Sequence, residues 1–170
     1  MSDSTFDASA HTGAAALAAV LRLNTRLFLN CLVDVTEAHA VERPNGRTNS
    51  MSFIACHVVD SRYFLARTLG LDEQNPLDRF TSDVTGIEQM AEMPDLAAIR
   101  QAWRAIARTL EECVVGLTEA ELRAPSAQRF PVDQHNVIGG IGFLLQHESY
   151  HLGQLALLRK FHGYPAMRYG

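Results

Sequence analysis

The sequence predicts an all-α protein, a four-helix bundle in up-down-down-up order with a long crossover between the second and third helices. Three observations lead there. Apolar residues recur at steps of three and four in four long segments, strand-like alternation is scarce, and one connection is far longer than the others. The 170 residues are expected to form one domain, residues 1–170, with residues 1–12 as a flexible polar tail.

The first helix places Leu17, Val20, Leu21, Asn24, Leu27, Phe28, Cys31, Leu32 and Val35 on one stripe, with Asn24 its single polar member. The turn residues of Arg43 to Arg47 then break the chain. A second helix starts near Asn49 or Ser50, both N-cap types, and stops at Gly70 after Leu69. Its stripe contains Phe53, Ile54, His57, Val58, Ser61, Phe64, Leu65 and Thr68, which turns His57 inward. The third begins after Asp95 and aligns Leu96, Ile99, Trp103, Ile106, Leu110, Cys113, Val114 and Leu117 as a bundle seam. The fourth runs from near Asn136 to about Phe161, with Gly163 and Pro165 as stop signals. Roughly 25 residues between the second and third helices are enough to run the length of a bundle. That favours two successive helices pointing the same way.

Composition narrows the function. A net charge of −4 and the absence of a basic cluster argue against nucleic-acid binding. No segment reaches the roughly 18 apolar residues of a membrane span. The first residues lack the basic and apolar pattern of a signal peptide, so a cytoplasmic location is expected. Three scattered cysteines form no C-x-x-C motif; Cys31 and Cys113 read as small core residues, and Cys56 points about 100° away from His57.

His147 and His151 stand in H-E-x-x-H, the zinc helix of many metallopeptidases. Spacing of four sets the imidazoles about 40° apart, one turn along, so one ion can meet both. A metallopeptidase of that type takes its third ligand downstream. Here Gln154 and Leu157 stand where the pattern wants Gly and His, and no Asp or Glu follows His151. His162 lies about 16 Å further along the same helix, out of reach of a shared ion. The peptidase reading is therefore set aside. Of the upstream histidines, His11 is in the tail, His39 near the end of the first helix and His135 before the fourth. His57 alone sits mid-helix. Two readings stay open: three hydrogen-bonded core histidines, or a three-nitrogen metal site formed by His57, His147 and His151.

Glu148 lies about 100° from His147 and borders the ligand face, where it can orient an imidazole or take a proton; it can equally be solvated or bridge two helices. Asp60, near His57, is a second such candidate. Gly140 is read as a packing glycine, and Tyr63, Trp103 and Tyr150 as core or interface residues.

The stretches SFIACHVVDSRYFLARTLG and HESYHLGQLALLRKFHGYPAM resemble the DinB/YfiT-like family. In that family a His on the second helix joins an H-x-x-x-H pair on the last, positions filled here by His57, His147 and His151. The resemblance implies an up-down-down-up bundle, commonly a homodimer, that binds one divalent ion such as nickel or zinc. It also implies a small-molecule ligand. Some members are thiol-dependent transferases or isomerases that use bacillithiol, mycothiol or glutathione as cosubstrate. The alternative is a stress-response protein that binds a metal or small molecule without turnover.

Overall fold

The computed structural model describes residues 12–82 and 84–169. The tail reading for residues 1–12 falls almost wholly outside them. Four long helices carry the core: α1 (Thr12–Cys31), α3 (Met51–Thr68), α5 (Leu96–Gly116) and α7 (Val137–Phe161). Short helices interrupt the connections, α2 (Glu37–Val41), α4 (Asp78–Thr81) and α6 (Glu119–Arg123), with a 3-10 turn at Ile87–Gln89.

The helix starts follow side-chain caps. Ser50, Asp95 and Asn136 each accept the backbone N–H three residues on, from Phe53, Ala98 and Gly139 respectively. After α3, Gly70 takes a positive φ of 84°, the left-handed turn that ends the helix and costs glycine least. The first helix ends earlier than its apolar stripe. Leu32 and Val35 stay buried in the turn that follows, where Asp34 adopts φ 59°. Val20, expected inside, is exposed. Apolar α1 residues that do face inward include Ala14, Ala18, Leu21 and Phe28.

The long helices pack as a ring in the order α1, α5, α3, α7, with α1 and α3 across the diagonal. Pairings give their directions. Along α1 and α7 the residue numbers climb together, from Gly13 beside Ile138, through Asn24 on the Leu145 carbonyl, to Cys31 on the Leu152 carbonyl. Along α1 and α5 they run oppositely, Arg22 meeting Glu111 and Arg100 reaching the Leu32 carbonyl. Along α3 and α7 they also oppose, Ile54 lying near Leu158 and Leu65 near Ile141. Hence α1 and α7 point one way and α3 and α5 the other, the predicted up-down-down-up order.

Because α3 and α5 are parallel, the chain between them must return along the bundle. Part of that crossover lies against α3. Asn75 is buried, donates to Asp60 and accepts the Leu77 N–H, which fixes the segment that passes His57. At the other end of the cleft, Phe130 presses on α7 so closely that a Cβ on Gly140 would sit 2.6 Å from its ring. Gly140 is a packing glycine, as its sequence context indicates.

Candidate metal centre

On α3 the expected stripe needs correcting. The helix buries Ile54, Val58, Ser61 and Leu65, with Ala55, Val59, Arg62 and Ala66 beside them, while Phe53, His57, Asp60 and Phe64 form its least buried line. His57 therefore does not point into the core. It stands at the edge of the α3–α7 cleft, reached by solvent along one side.

From there it meets both α7 histidines. His57 Nε2 lies 3.0 Å from His147 Nε2, which lies 3.1 Å from His151 Nε2. Four ligands at about 2.0–2.1 Å around a tetrahedral ion are separated by about 3.3 Å, so these three nitrogens need only a slight parting to admit one. The far sides of two rings are engaged. His147 Nδ1 faces Ser61 Oγ at 3.3 Å, and His151 Nδ1 faces the Gln154 carbonyl oxygen at 2.7 Å. A carbonyl only accepts, so His151 carries its proton on Nδ1 and leaves the Nε2 lone pair for the cleft. Gln154 is itself steadied by donating to the Tyr150 hydroxyl at 3.2 Å. Phe53 stacks parallel to the His57 ring, and Phe143 flanks His147.

Electrostatics favour the neutral, ligating form. Burial, with the neighbouring His151 and His147 charges, lowers the His57 pKa to about 4. Burial also lowers those of His147, with help from His151, and of His151, where the Gln154 bond opposes it. Three nearby imidazoles would repel one another if protonated; unprotonated, they direct lone pairs at one point. The donor set fits a borderline divalent ion. A three-nitrogen set leaves coordination positions open on the solvent side.

The two carboxylates expected near the site are both committed elsewhere. Glu148 neither borders the cleft nor meets solvent. It is 1% exposed and receives Arg62 Nε and Nη2 at 2.8 Å each, a bidentate pair across α3 and α7. Asn24 adds a bond at 3.2 Å, which explains the one polar residue in the first helix's stripe. Arg62 also donates to Thr25 and lies 3.4 Å over the Trp103 ring. Asp60 accepts from Asn75 at 2.9 Å and faces Thr81 at 3.5 Å. It lines a cavity of about 30 Å³ beside His57, with Cys56, Thr81 and Met90. That space suits a water and no substrate. Burial, with Asp60 nearby, pushes the Cys56 thiol up to about 12, and its sulfur is not part of the histidine cluster.

Ser61, Gln154 and Arg62 escaped the sequence reading. Gln154 lies three residues after His151, a spacing that could have marked it as a ring partner, whereas Ser61 meets His147 from another helix and no local spacing points to it. Arg62 could have been noticed as a cation beside the apolar stripe of α3, opposite a helix carrying a lone acid. Cys31, Tyr63 and Trp103 are core residues, Cys113 is half-buried and Tyr150 is exposed.

No helix among the described residues is long and apolar enough to cross a membrane. No curated protein matches the chain. The DinB superfamily model matches residues 21–155, a stretch that contains α3 and α5 whole, most of α7, the second half of α1 and the three clustered histidines. The all-helical bundle, its order and that match agree, and the chain belongs to the DinB superfamily.

Proposed function

We propose that His57, His147 and His151 hold one divalent ion, zinc or nickel, and that the site transfers a low-molecular-weight thiol to a small electrophile. One observation carries the reading: His147 Nε2 lies 3.0 Å from that of His57 and 3.1 Å from that of His151, the three residues each bring a ring nitrogen within 4.8 Å of the others, and Ser61 and Gln154 engage two outer nitrogens. A bound divalent ion supplies Lewis acidity that lowers the pKa of a coordinating thiol.

The chain's own residues supply orientation and access. Gln154 keeps His151 in the tautomer with a free Nε2, and Ser61 fixes the pitch of the His147 ring. Phe53 and Phe143 wall the cleft with apolar surface and limit water. In the transfer the thiol gives its proton to solvent, a carbon–sulfur bond forms as the bond from carbon to the leaving group breaks, and the leaving group departs with that bonding pair. Both nearby carboxylates are tied up, Glu148 by Arg62 and Asp60 by Asn75. Chemistry that needs no free carboxylate base is thus the better match, and thiol activation is of that kind.

A groove of about 320 Å³ between the Arg47–Asn49 segment and α7 reaches the site at Gln154. Arg47 and Asn49 give it polar walls, and Ile54 and Leu158 an apolar floor. Glutathione and bacillithiol carry carboxylates that a guanidinium can receive. As for assembly, Tyr150, Leu157 and Phe161 are exposed along one line of α7, a surface that supports the homodimer reading.

The test has two parts. Metal analysis of purified protein should find an ion that a His57→Ala, His147→Ala double variant loses; equal metal content in both would defeat the site. The metallated protein should then turn over a model electrophile with bacillithiol, mycothiol or glutathione. If none binds or reacts, the transferase reading falls and a metal-binding protein without turnover, one acting in a stress response, takes its place.

A further inference from the structure

His162 was out of reach of the first site, and the structure gives it different companions. It caps the C-terminal end of α7, beyond the residues matched by the family model. There it meets His39 and Glu42 from α2 and its C-cap. One ligand atom from each of the three lies within 4.8 Å of the others.

The His162 side chain is 3% exposed, and its Nε2 has no hydrogen-bond partner. Its Nδ1 stands 3.7 Å from Glu42 Oε2. That is too long for a hydrogen bond, whose N···O distance is about 2.7–3.2 Å. It suits two ligands of one ion, each about 2.0–2.2 Å from the metal at an angle near 125°. A buried imidazole with neither nitrogen hydrogen-bonded among the described residues is costly, and an ion shared with Glu42 would engage Nδ1, one of the two.

His39 is prepared in the way a ligand histidine usually is. Its Nδ1 lies 2.8 Å from the Tyr164 hydroxyl, which also accepts the Thr36 N–H at 3.1 Å. With Nδ1–H donated to that oxygen, Nε2 is left with a lone pair. The His39 and His162 rings stack 14° from parallel with centroids 4.8 Å apart, so for an ion to take both edges the His39 ring turns, at some cost to its bond with Tyr164. Glu42 is half exposed and gives the ion its way in.

We propose that His39, Glu42 and His162 form a second divalent-cation site, one that ties the α2 corner to the end of α7. Two imidazoles and a carboxylate select zinc, nickel or copper over magnesium or calcium. Because a ring must turn, the site binds more weakly than the three-histidine cluster.

Zinc titration of the metal-free full chain, followed by calorimetry, tests this. The expected result is two equivalents, a tighter and a weaker. Glu42→Gln, at an exposed position that cannot disturb the core, lowers affinity for the weaker equivalent at least tenfold and leaves the tighter one unchanged. The double variant His57→Ala, His151→Ala loses the tighter and keeps the weaker, so the two sites stand or fall separately. A wild-type stoichiometry explained by the three-histidine cluster alone overturns the proposal. So does a weaker equivalent that Glu42→Gln and His39→Gln both leave untouched.

Discussion

His147 and Glu148 are neighbours in sequence, yet α7 turns the first into the cleft against α3 and the second onto Arg62 in the dry interior. Around Glu148 every strong polar group has a partner: two bonds from Arg62, one from Asn24, and Thr25 and Trp103 completing the arginine's surroundings. Around His147 two outer nitrogens are engaged, by Ser61 and Gln154, and the inner ones face each other at 3.0–3.1 Å. The same pair of helices therefore builds one closed polar network and one cluster of ring nitrogens whose geometry could hold a metal ion. Satisfied polar groups hold the helices in register, and that register sets where the imidazoles meet.

The contrast can be broken most severely from its buried side. Glu148→Ala strands the Arg62 charge and is expected to cost about 3–5 kcal/mol in urea unfolding of the metal-free protein. Replacing both partners, as Arg62→Met with Glu148→Leu, should recover most of that loss. A cost for Glu148→Ala below about 1 kcal/mol would show that the pair does not hold the register.

On the cleft side the expected effect falls on metal instead. His57→Ala should weaken zinc binding by more than about 100-fold, beyond what loss of an outer partner does, while leaving the metal-free stability nearly unchanged. Calorimetry and urea unfolding on one variant decide this; a large stability loss with unchanged affinity would reverse the roles of the two faces.

Gln154→Ala should weaken the tighter zinc equivalent by about 10–100-fold, because the His151 ring loses the bond that sets its tautomer. Gln154→Glu, which keeps an acceptor, should restore much of it. Unaltered affinity in Gln154→Ala would remove Gln154 from the site.

The smallest effect is on pH. The His57, His147 and His151 pKa values are lowered by burial in the folded chain. The unfolded chain therefore binds more protons below about pH 6.5, and metal-free stability falls as pH drops from there towards the folded His57 value of about 4. In His57→Gln the decline should be shallower. Identical pH profiles for the two proteins would show that the cleft histidines are not desolvated.

Much of this was legible from the chain. Ser50, Asp95 and Asn136 mark helix starts because a side-chain cap is a local device, complete within four residues. The three clustered histidines could be proposed because spacing of four on α7 is local too, and because His57 alone of the remaining histidines sits mid-helix, as the resemblance also implied. The inward placement of His57 was misread. A stripe of steps three and four says which residues share a side, not which neighbour that side faces, and α3 is packed against more than one helix. Glu148 takes the helix-bridging role that was its alternative, but its partner Arg62 lies 86 residues away on another helix and no local pattern names it.

By itself the sequence determined four helices, the starts of the last three, the long return between the second and third, and which histidines share a turn of α7. These depend on propensity, capping and periodicity, all of which act over a few residues. Only the tertiary structure decided that Glu148 serves Arg62, that Ser61 and Gln154 steady the imidazoles, and that His162 meets His39 and Glu42. All of those except the Gln154–His151 bond, which lies within one turn of α7, join atoms far apart in the chain. Their meeting depends on the azimuth of one packed helix against another, a quantity that no local pattern contains.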